Sequence, residues 1–311
     1  MAAPHRIDTQ HHILPARYVE AVGAESIART LVSGRTPDWT PEVSLAAMDA
    51  HGVATAVVSI SPPGFSIADA TLCAWCNEYA ADMMQRYPGR FGSFASLPLP
   101  DIDASLSEIG HALDSLKAQG ICLLTNYGGR TLGDPLFDPV FAELERRGAV
   151  VYVHPNEAPG APLVGLPPAS LEFPFDTTRA IANMLFTGTF ARTRNIRYIF
   201  SHAGGTVPFL AERLARLERR PDLKVHAPDG VLAELRRLHY DVALSAGPLT
   251  LGATLRFTTP DKLLFASDFP HAPVEAMAGT VTGLARANLT EEDRIMIERG
   301  TALSLMPGLR T

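Results

Sequence analysis

The chain has 311 residues, of which 46% are hydrophobic and 19% are charged, and its formal net charge is −6. This composition provides a large buried core and excludes an intrinsically disordered chain. Its 27 lysines and arginines form no basic block, so we expect neither a nucleic-acid partner nor a membrane partner.

Eight short apolar runs alternate with longer helical patterns, which is typical of βα repeats and a parallel sheet. The predicted strands are residues 7–11, 55–60, 91–97, 120–125, 150–154, 196–201, 239–243 and 262–266. Eight strands are the number that closes a barrel, and barrels of this length often form one domain. We therefore predict an α/β fold, a (β/α)8 TIM-type barrel, as a single domain over residues 1–311.

Helices are expected between these strands because apolar residues recur there at three- and four-residue spacing. The predicted helices are residues 41–50, 68–86, 105–118, 139–147, 176–191, 207–219 and 291–299. Two stretches, 23–39 and 156–175, lack periodicity and are rich in Gly, Pro and Ser. We expect them to be irregular loop insertions at the C-terminal face of the barrel, where such segments wall a pocket.

Residues that can bind a metal ion fall where the predicted strands end, which is where barrels carry functional side chains. Gln10 and His12 end the first strand and, two residues apart, project to the same side. His154 closes the fifth strand, His202 follows the sixth and Asp268 follows the eighth. Each alone is more often a turn or hydrogen-bonding residue than a metal ligand. Together they favour a metal-centred site, since imidazole and carboxylate suit zinc and similar ions.

Several motifs carry a family resemblance along nearly the whole chain. They are Ile-Asp-Thr-Gln-His-His-Ile-Leu-Pro near the start, Trp-Thr-Pro-Glu, Phe-Gly-Ser-Phe-Ala-Ser-Leu-Pro, Leu-Thr-Asn-Tyr-Gly-Gly, Val-Tyr-Val-His-Pro, Phe-Asp-Thr-Thr-Arg, Ser-His-Ala-Gly-Gly and Phe-Ala-Ser-Asp-Phe-Pro. In this order they resemble the amidohydrolase superfamily and, within it, aminocarboxymuconate-semialdehyde decarboxylase and related non-oxidative decarboxylases. The likeness extends to 6-methylsalicylate decarboxylase-like proteins.

By position, the resemblance implies metal ligands at Gln10, His12, His154 and Asp268, with catalytic roles for His202 and Asp268. The family usually has histidine at the position of Gln10. His11 does not replace it, because it points to the opposite side of a regular strand. A glutamine oxygen is a poorer zinc partner than imidazole. We expect one divalent ion, zinc, with manganese, weakened binding or loss of the metal as the alternatives.

The resemblance implies decarboxylation of a small aromatic or enoic carboxylic acid that is similar to salicylate. Asp268 would protonate the carbon that loses CO2 or act as a base, and His202 would assist it. The same residues would serve a hydrolase or hydratase that activates water at the metal, because fold and metal do not fix the reaction. A third hypothesis, which rests on Gln10, is a metal-free descendant that binds a small acid.

Four further residues are candidates for substrate binding: Trp39, Phe175, Arg179 and His271. The aromatic pair is explained equally well by packing, and His271 by a solvated loop. Asp176 and Arg179 are read first as a surface or interface ion pair, with carboxylate binding by Arg179 as the alternative.

The N-terminus lacks the long apolar stretch of a signal peptide. Three cysteines, Cys73, Cys76 and Cys122, are sparse for a secreted protein and are expected to pack in the interior. We therefore expect a cytoplasmic protein, and the resemblance implies a homodimer.

Overall fold

Eight parallel strands follow one another around a barrel in chain order. The computed structural model describes residues 5–65, 69–158, 160 and 165–309. The strands are β1 Arg6–His12, β2 Val53–Ser59, β3 Phe91–Ser96, β4 Gly120–Leu124, β5 Val150–His154, β6 Arg197–Phe200, β7 His239–Asp241 and β8 Leu263–Leu264. The ring closes where the Thr9 N–H donates to the Phe265 carbonyl at 3.0 Å and the His12 N–H donates to the Phe269 carbonyl at 2.7 Å. The predicted (β/α)8 barrel is confirmed.

Helices connect the strands and cover the outside of the barrel. The α-helices that begin within one turn of the prediction are Pro41–His51, Ala70–Arg86, Ile102–Gly110, Asp138–Arg147, Glu172–Phe186, Val207–Ala215 and Glu291–Ile295. The predicted start at residue 68 lies outside the described residues. Several predicted helices change their winding near the end, as in the π-helical turns His111–Ser115 and Met296–Gly300. The predicted helix 176–191 is divided in two, and its last part is the separate helix Thr189–Arg192. Further helices, which were not predicted, are Ala16–Val22, Ala24–Thr30, Pro221–Lys224, Val231–Arg237, Pro248–Phe257, Val274–Arg286 and Thr301–Leu305.

The first irregular stretch, 23–39, is partly helical, which corrects the prediction. Ala16–Val22 and Ala24–Thr30 are each seven residues long and are separated by Gly23, which has a left-handed φ of 88°. A helix of two turns is too short to show a clear apolar period. In the second stretch, Pro168–Ser170 forms a 3-10 turn, and residues 159 and 161–164 lie outside the described residues. Residues 30–38 and 169–174 both contribute to the wall of the cavity described below.

The inside of the barrel is filled by apolar side chains at its amino-terminal end. The C-terminal helix Thr301–Leu305 and the residues after it close that end and pack against the interior cluster of Ile7, Val57, Phe94, Tyr152, Ile199 and Leu264. Phe94 and Tyr152 stack with ring centroids 5.2 Å apart. Burial of each such side chain contributes about 1.5–3 kcal/mol. The amino-terminal end is therefore a rigid plug, and only the carboxyl ends of the strands face an open space.

All three cysteines are buried free thiols, as expected for packing residues. Burial raises the pKa of the Cys122 thiol to about 12. In the part of the chain that the structure describes, no helix is both long and apolar enough to cross a membrane.

Candidate active site

A cavity of about 1130 Å³ opens at the carboxyl ends of the strands. Its wall is formed by residues in the segments 30–38, 169–174 and 268–273, and its floor includes His154 and His202. This volume is slightly above the usual range for a small-molecule site. The five residues that the sequence singled out as a metal-centred site meet at this floor.

Asp268 lies at the centre of that group. Its Oδ1 atom accepts a hydrogen bond from the Gln10 amide at 2.6 Å and lies 3.0 Å from His12 Nε2 and 3.9 Å from His154 Nε2. Its Oδ2 atom lies 3.7 Å from His202 Nε2. Burial alone would raise the pKa of Asp268, but the contact with His12 and the nearby rings of His154 and His202 hold it well below its ordinary value. The carboxyl group is therefore ionised.

The donor atoms of His12, His154 and Asp268 lie within 4.8 Å of one another. The ring of His154 is set as a ligand, because its Nδ1 lies 2.8 Å from the carbonyl oxygen of Pro155 and donates to it, which leaves the lone pair on Nε2. That Nε2 atom and Gln10 Oε1 are buried without a hydrogen-bond partner among the described residues. Burial also lowers the pKa of His154 to about 4, so the ring is neutral. This donor set fits a divalent metal ion.

Two of these residues sit on strained backbone. His202 has a φ of 53° and Asp268 a φ of 64°, in the left-handed region that most side chains avoid. Each costs on the order of 1–3 kcal/mol and persists only where the surroundings hold it. Asp268 is held by its N–H, which donates to the Gln10 carbonyl at 2.9 Å. Such strain is typical of functional sites.

Asp8 fixes the seam between β1 and the segment that follows β8. Its carboxylate accepts the Ser267 N–H at 3.0 Å, the Ser267 hydroxyl at 2.5 Å and the Gln10 N–H at 3.2 Å. It also lies 2.9 Å from His11 Nδ1, and all four residues are fully buried. His11 therefore points away from the cavity, as the alternation of the strand predicts, even though the register with β2 shifts between Asp8 and His11.

Sequence reasoning missed Asp241, which ends β7. It is fully buried, and its carboxylate accepts the N–H groups of His202 and Ala243 at 2.9 Å and 3.0 Å and the hydroxyl of Tyr152 at 3.1 Å. Burial raises the pKa of Asp241 to about 7. The signal was available: an acidic residue inside an apolar strand is costly to bury unless it is bonded.

The predicted substrate-binding residues have different placements. His271 lines the cavity, whereas Trp39, Phe175 and Arg179 are not among the lining residues in the described part of the chain. The Trp39 indole N–H donates to Ser44 Oγ at 2.9 Å on the outer side of the barrel, and Phe175 is 40% exposed. Arg35, which was not among the predicted residues, does line the cavity.

The expected ion pair of Asp176 and Arg179 is present, but Asp176 does not lie on the surface. This carboxylate is buried and accepts hydrogen bonds from Asn126, at 2.8 Å, and from Thr125. Arg179 is half-exposed and lies 4.0 Å away. Asp176 is buried because its carboxylate accepts hydrogen bonds from two neutral donors after β4, the Thr125 hydroxyl and the Asn126 amide.

The amidohydrolase family model matches residues 7–307, nearly the whole described chain. The chain belongs to the amidohydrolase family. It is 34% identical to the 6-methylsalicylic acid decarboxylase of Penicillium expansum, an alignment that covers 98% of this chain and 97% of that enzyme. The family resemblance predicted from the motifs is confirmed.

Solved structures of this family share the barrel. A crystal structure of an amidohydrolase II superposes with a TM-score of 0.89 at 30% identity, covering 97% of this chain and 99% of the other. The 5-carboxyvanillate decarboxylase of Novosphingobium aromaticivorans, solved with manganese and 4-hydroxy-3-methoxy-5-nitrobenzoic acid, superposes with a TM-score of 0.84 at 19% identity, covering 97% and 96%. The second likeness shows a common fold only.

Proposed function

We propose that this protein is a metal-dependent, non-oxidative decarboxylase of a small aromatic carboxylic acid. The observation that carries the proposal is the cluster of Asp268 with three histidines at the floor of a cavity. The likeness to a 6-methylsalicylic acid decarboxylase over almost the full length of both chains supports the reaction class.

His12, His154 and Asp268 would hold the ion, and Gln10 would offer its otherwise unpaired Oε1 as a further donor. A divalent ion here supplies positive charge that orients the substrate oxygens and stabilises the negative charge formed as CO2 leaves. We infer zinc, with manganese as the alternative because the Gln10 oxygen is a harder donor than imidazole. The manganese found in the 5-carboxyvanillate decarboxylase supports that alternative.

Arg35 would recognise the substrate carboxylate. Among the described residues that line the cavity, it is the one that carries a permanent positive charge, while the two acidic residues are Asp38 and Asp268. A guanidinium binds a carboxylate through two parallel hydrogen bonds. Arg35 therefore sets which end of the substrate faces the wall formed by residues 30–38.

Asp268 and His202 would move the proton. Burial lowers the pKa of His202, but contact with the Asp268 carboxylate outweighs burial and raises it. The two groups lie 3.7 Å apart, and a protonated His202 beside this carboxylate can give one proton to the ring carbon as the bond to CO2 breaks. Decarboxylation consumes the substrate carboxylate and one proton, and it forms one CO2 and one C–H bond.

The test uses the purified protein loaded separately with zinc and with manganese. Each form is incubated in D2O with 6-methylsalicylate and a series of hydroxybenzoates, and CO2 and products are quantified. We expect CO2 release and one deuterium at the ring carbon that carried the carboxylate. Absence of CO2 from every acid, together with hydrolysis of an ester or amide analogue, would replace the proposal with a metal-dependent hydrolase. Tight binding of an acid without any metal would indicate a binding protein.

We further propose that the protein is a cytoplasmic homodimer and that its 311 residues form one domain. Phe209 and Leu249 support association, because they are 86% and 89% exposed on neighbouring helices. The free thiols of the three cysteines suit a reducing compartment. Light scattering of the purified protein at micromolar concentration tests the dimer.

A further inference from the structure

Ser61 and His271 form a polar pair in an otherwise apolar part of the cavity wall. Ser61 follows β2, His271 follows β8, and Ser61 Oγ lies 3.0 Å from His271 Nδ1. Both residues line the cavity, next to Phe269, Pro270 and Ala272. A few polar groups in an apolar wall are what fixes the orientation of a small ligand.

Among the residues that the structure describes, the second ring nitrogen of His271, Nε2, is buried and has no hydrogen-bond partner. Leaving such an atom unpaired costs free energy. The imidazole is held in place by its stacking on His12, with ring centroids 4.7 Å apart, and by Ser61. Because His271 lines the cavity, we expect a polar group of a bound molecule to satisfy this nitrogen.

His271 does not belong to the candidate metal cluster, which contains His12, His154 and Asp268. The same cavity wall holds Arg35, whose guanidinium suits the substrate carboxylate. The partner of His271 is therefore expected to be another polar group of the substrate.

We propose that Ser61 and His271 form a subsite for a ring hydroxyl of the substrate, in addition to any hydroxyl beside the carboxylate. This inference rests on the proposed function and narrows its substrates to aromatic acids that carry a second hydroxyl. A hydroxyl fits because it rotates to donate or accept. If Ser61 donates to Nδ1, then Nε2–H donates to the substrate oxygen. If Nδ1–H donates to Ser61, then Nε2 accepts the substrate proton.

The experiment compares the metal-loaded wild-type protein with three variants. Substrates are 2-hydroxybenzoate and its 2,3-, 2,4-, 2,5- and 2,6-dihydroxy analogues, which differ from it by one hydroxyl. His271→Phe keeps an aromatic ring and removes both nitrogens, and Ser61→Ala removes the supporting hydroxyl. Thr250→Val is the matched control, because Thr250 is another hydroxyl-bearing residue of the same cavity, while it is Ser61 that bonds His271. The readout is the ratio of kcat/KM for each dihydroxy acid to kcat/KM for 2-hydroxybenzoate.

We expect the wild type to prefer one dihydroxy isomer by about tenfold or more, since a site built to bond a hydroxyl rejects the analogue that lacks it. His271→Phe should bring that ratio close to one, Ser61→Ala should lower it partly, and Thr250→Val should leave it unchanged. Overturning results are a wild type that prefers no dihydroxy isomer, or a preference that His271→Phe preserves. Failure of the proposed function looks different, because the wild type would then release CO2 from none of the five acids. If His271→Phe does not fold, His271→Gln, which keeps one polar atom near Nε2, replaces it and should retain part of the preference.

Discussion

The carboxylate of Asp241, at the end of β7, accepts a hydrogen bond at 2.9 Å from the backbone N–H of His202, which follows β6. His202 has a left-handed φ of 53°, so its backbone needs this support to keep the ring beside Asp268. The hydroxyl of Tyr152, two residues before His154, binds the same carboxylate at 3.1 Å. Asp241 is therefore a positioning residue that ties β5, the loop after β6 and β7 together beneath the site.

Asp241→Ala should lower kcat at least about tenfold while KM changes little, because His202 loses its orientation but the substrate-binding wall is intact. Asp241→Asn keeps an oxygen for the two N–H donors and should restore most of kcat. Steady-state kinetics and metal analysis of both variants make the check. Equal losses in both variants would show that the negative charge matters and not the hydrogen bonds.

Asp268→Asn should lower turnover by about a thousandfold or more, because it removes both a metal ligand and half of the proton-transferring pair. The fold should survive, since asparagine tolerates the left-handed φ of 64° at this position. CO2 release and the thermal melting curve measure the two effects. Asp38→Asn is the control, because Asp38 is another carboxylate on the cavity wall and its loss should change turnover far less. Full activity of Asp268→Asn would remove Asp268 from the mechanism.

Gln10→His should tighten zinc binding by about tenfold or more, because it puts a nitrogen donor where the amide now bonds Asp268 at 2.6 Å. Competition with a chromophoric chelator gives the affinity without any activity assay. Gln10→Ala is the companion variant and should bind zinc no more tightly than the wild type. Unchanged affinity in Gln10→His would mean that residue 10 does not contact the metal.

The sequence predicted the centre of the site because that part follows from barrel geometry. His154, His202 and Asp268 each follow a different strand, and parallel strands bring their carboxyl ends to one edge. Once the strands are recognised, the meeting of these side chains needs no further information. Gln10 and His12 follow from the two-residue alternation in β1.

The cavity wall could not be predicted in the same way. Arg35 lies in a segment without any period, so nothing local indicates where its side chain points. Trp39 is the opposite case. It was predicted to line the cavity, but its indole N–H donates to Ser44, and other residues of the segment 30–38 form the lining. The sequence marks Asp241 as an acidic residue in an apolar strand, but it does not show which group the carboxylate binds. That group is the backbone N–H of His202, which becomes available through the left-handed turn there.

Arg35→Met should raise KM for the aromatic acid by about tenfold while kcat falls less. The hydrogen bonds that are lost, between the guanidinium and the substrate carboxylate, serve substrate binding. Arg29→Met is the matched control. Arg29 is in the helix before the same wall, but it pairs with Glu157 at 2.7 Å and is not among the lining residues of the described chain. Equal KM values for Arg35→Met and the wild type would assign the carboxylate to another group.

The stability of the metal-free protein should fall as the pH drops from about 6.5 to about 4. His239 begins β7, where it is 9% exposed, and burial lowers its pKa to about 4. In that pH range the unfolded chain protonates this histidine and the folded chain does not, so lowering the pH favours unfolding. Above pH 6.5 the histidine is neutral in both states, and its contribution to the free energy of unfolding is fully present. By pH 4 the free energy of unfolding has fallen by up to about 3 kcal/mol for such a group.

His239→Asn should reduce this slope, because asparagine does not titrate and its amide can donate to the Tyr198 carbonyl, which lies 3.2 Å from His239 Nδ1. Urea unfolding at several pH values, with a chelator present, measures the slope separately from metal release at His154. His111→Asn is the control, since the His111 side chain is 37% exposed and its loss should leave the slope nearly as it is. If His239→Asn and the wild type lose stability in parallel, the acid sensitivity arises elsewhere, and His154, whose pKa is also about 4, becomes the group to replace.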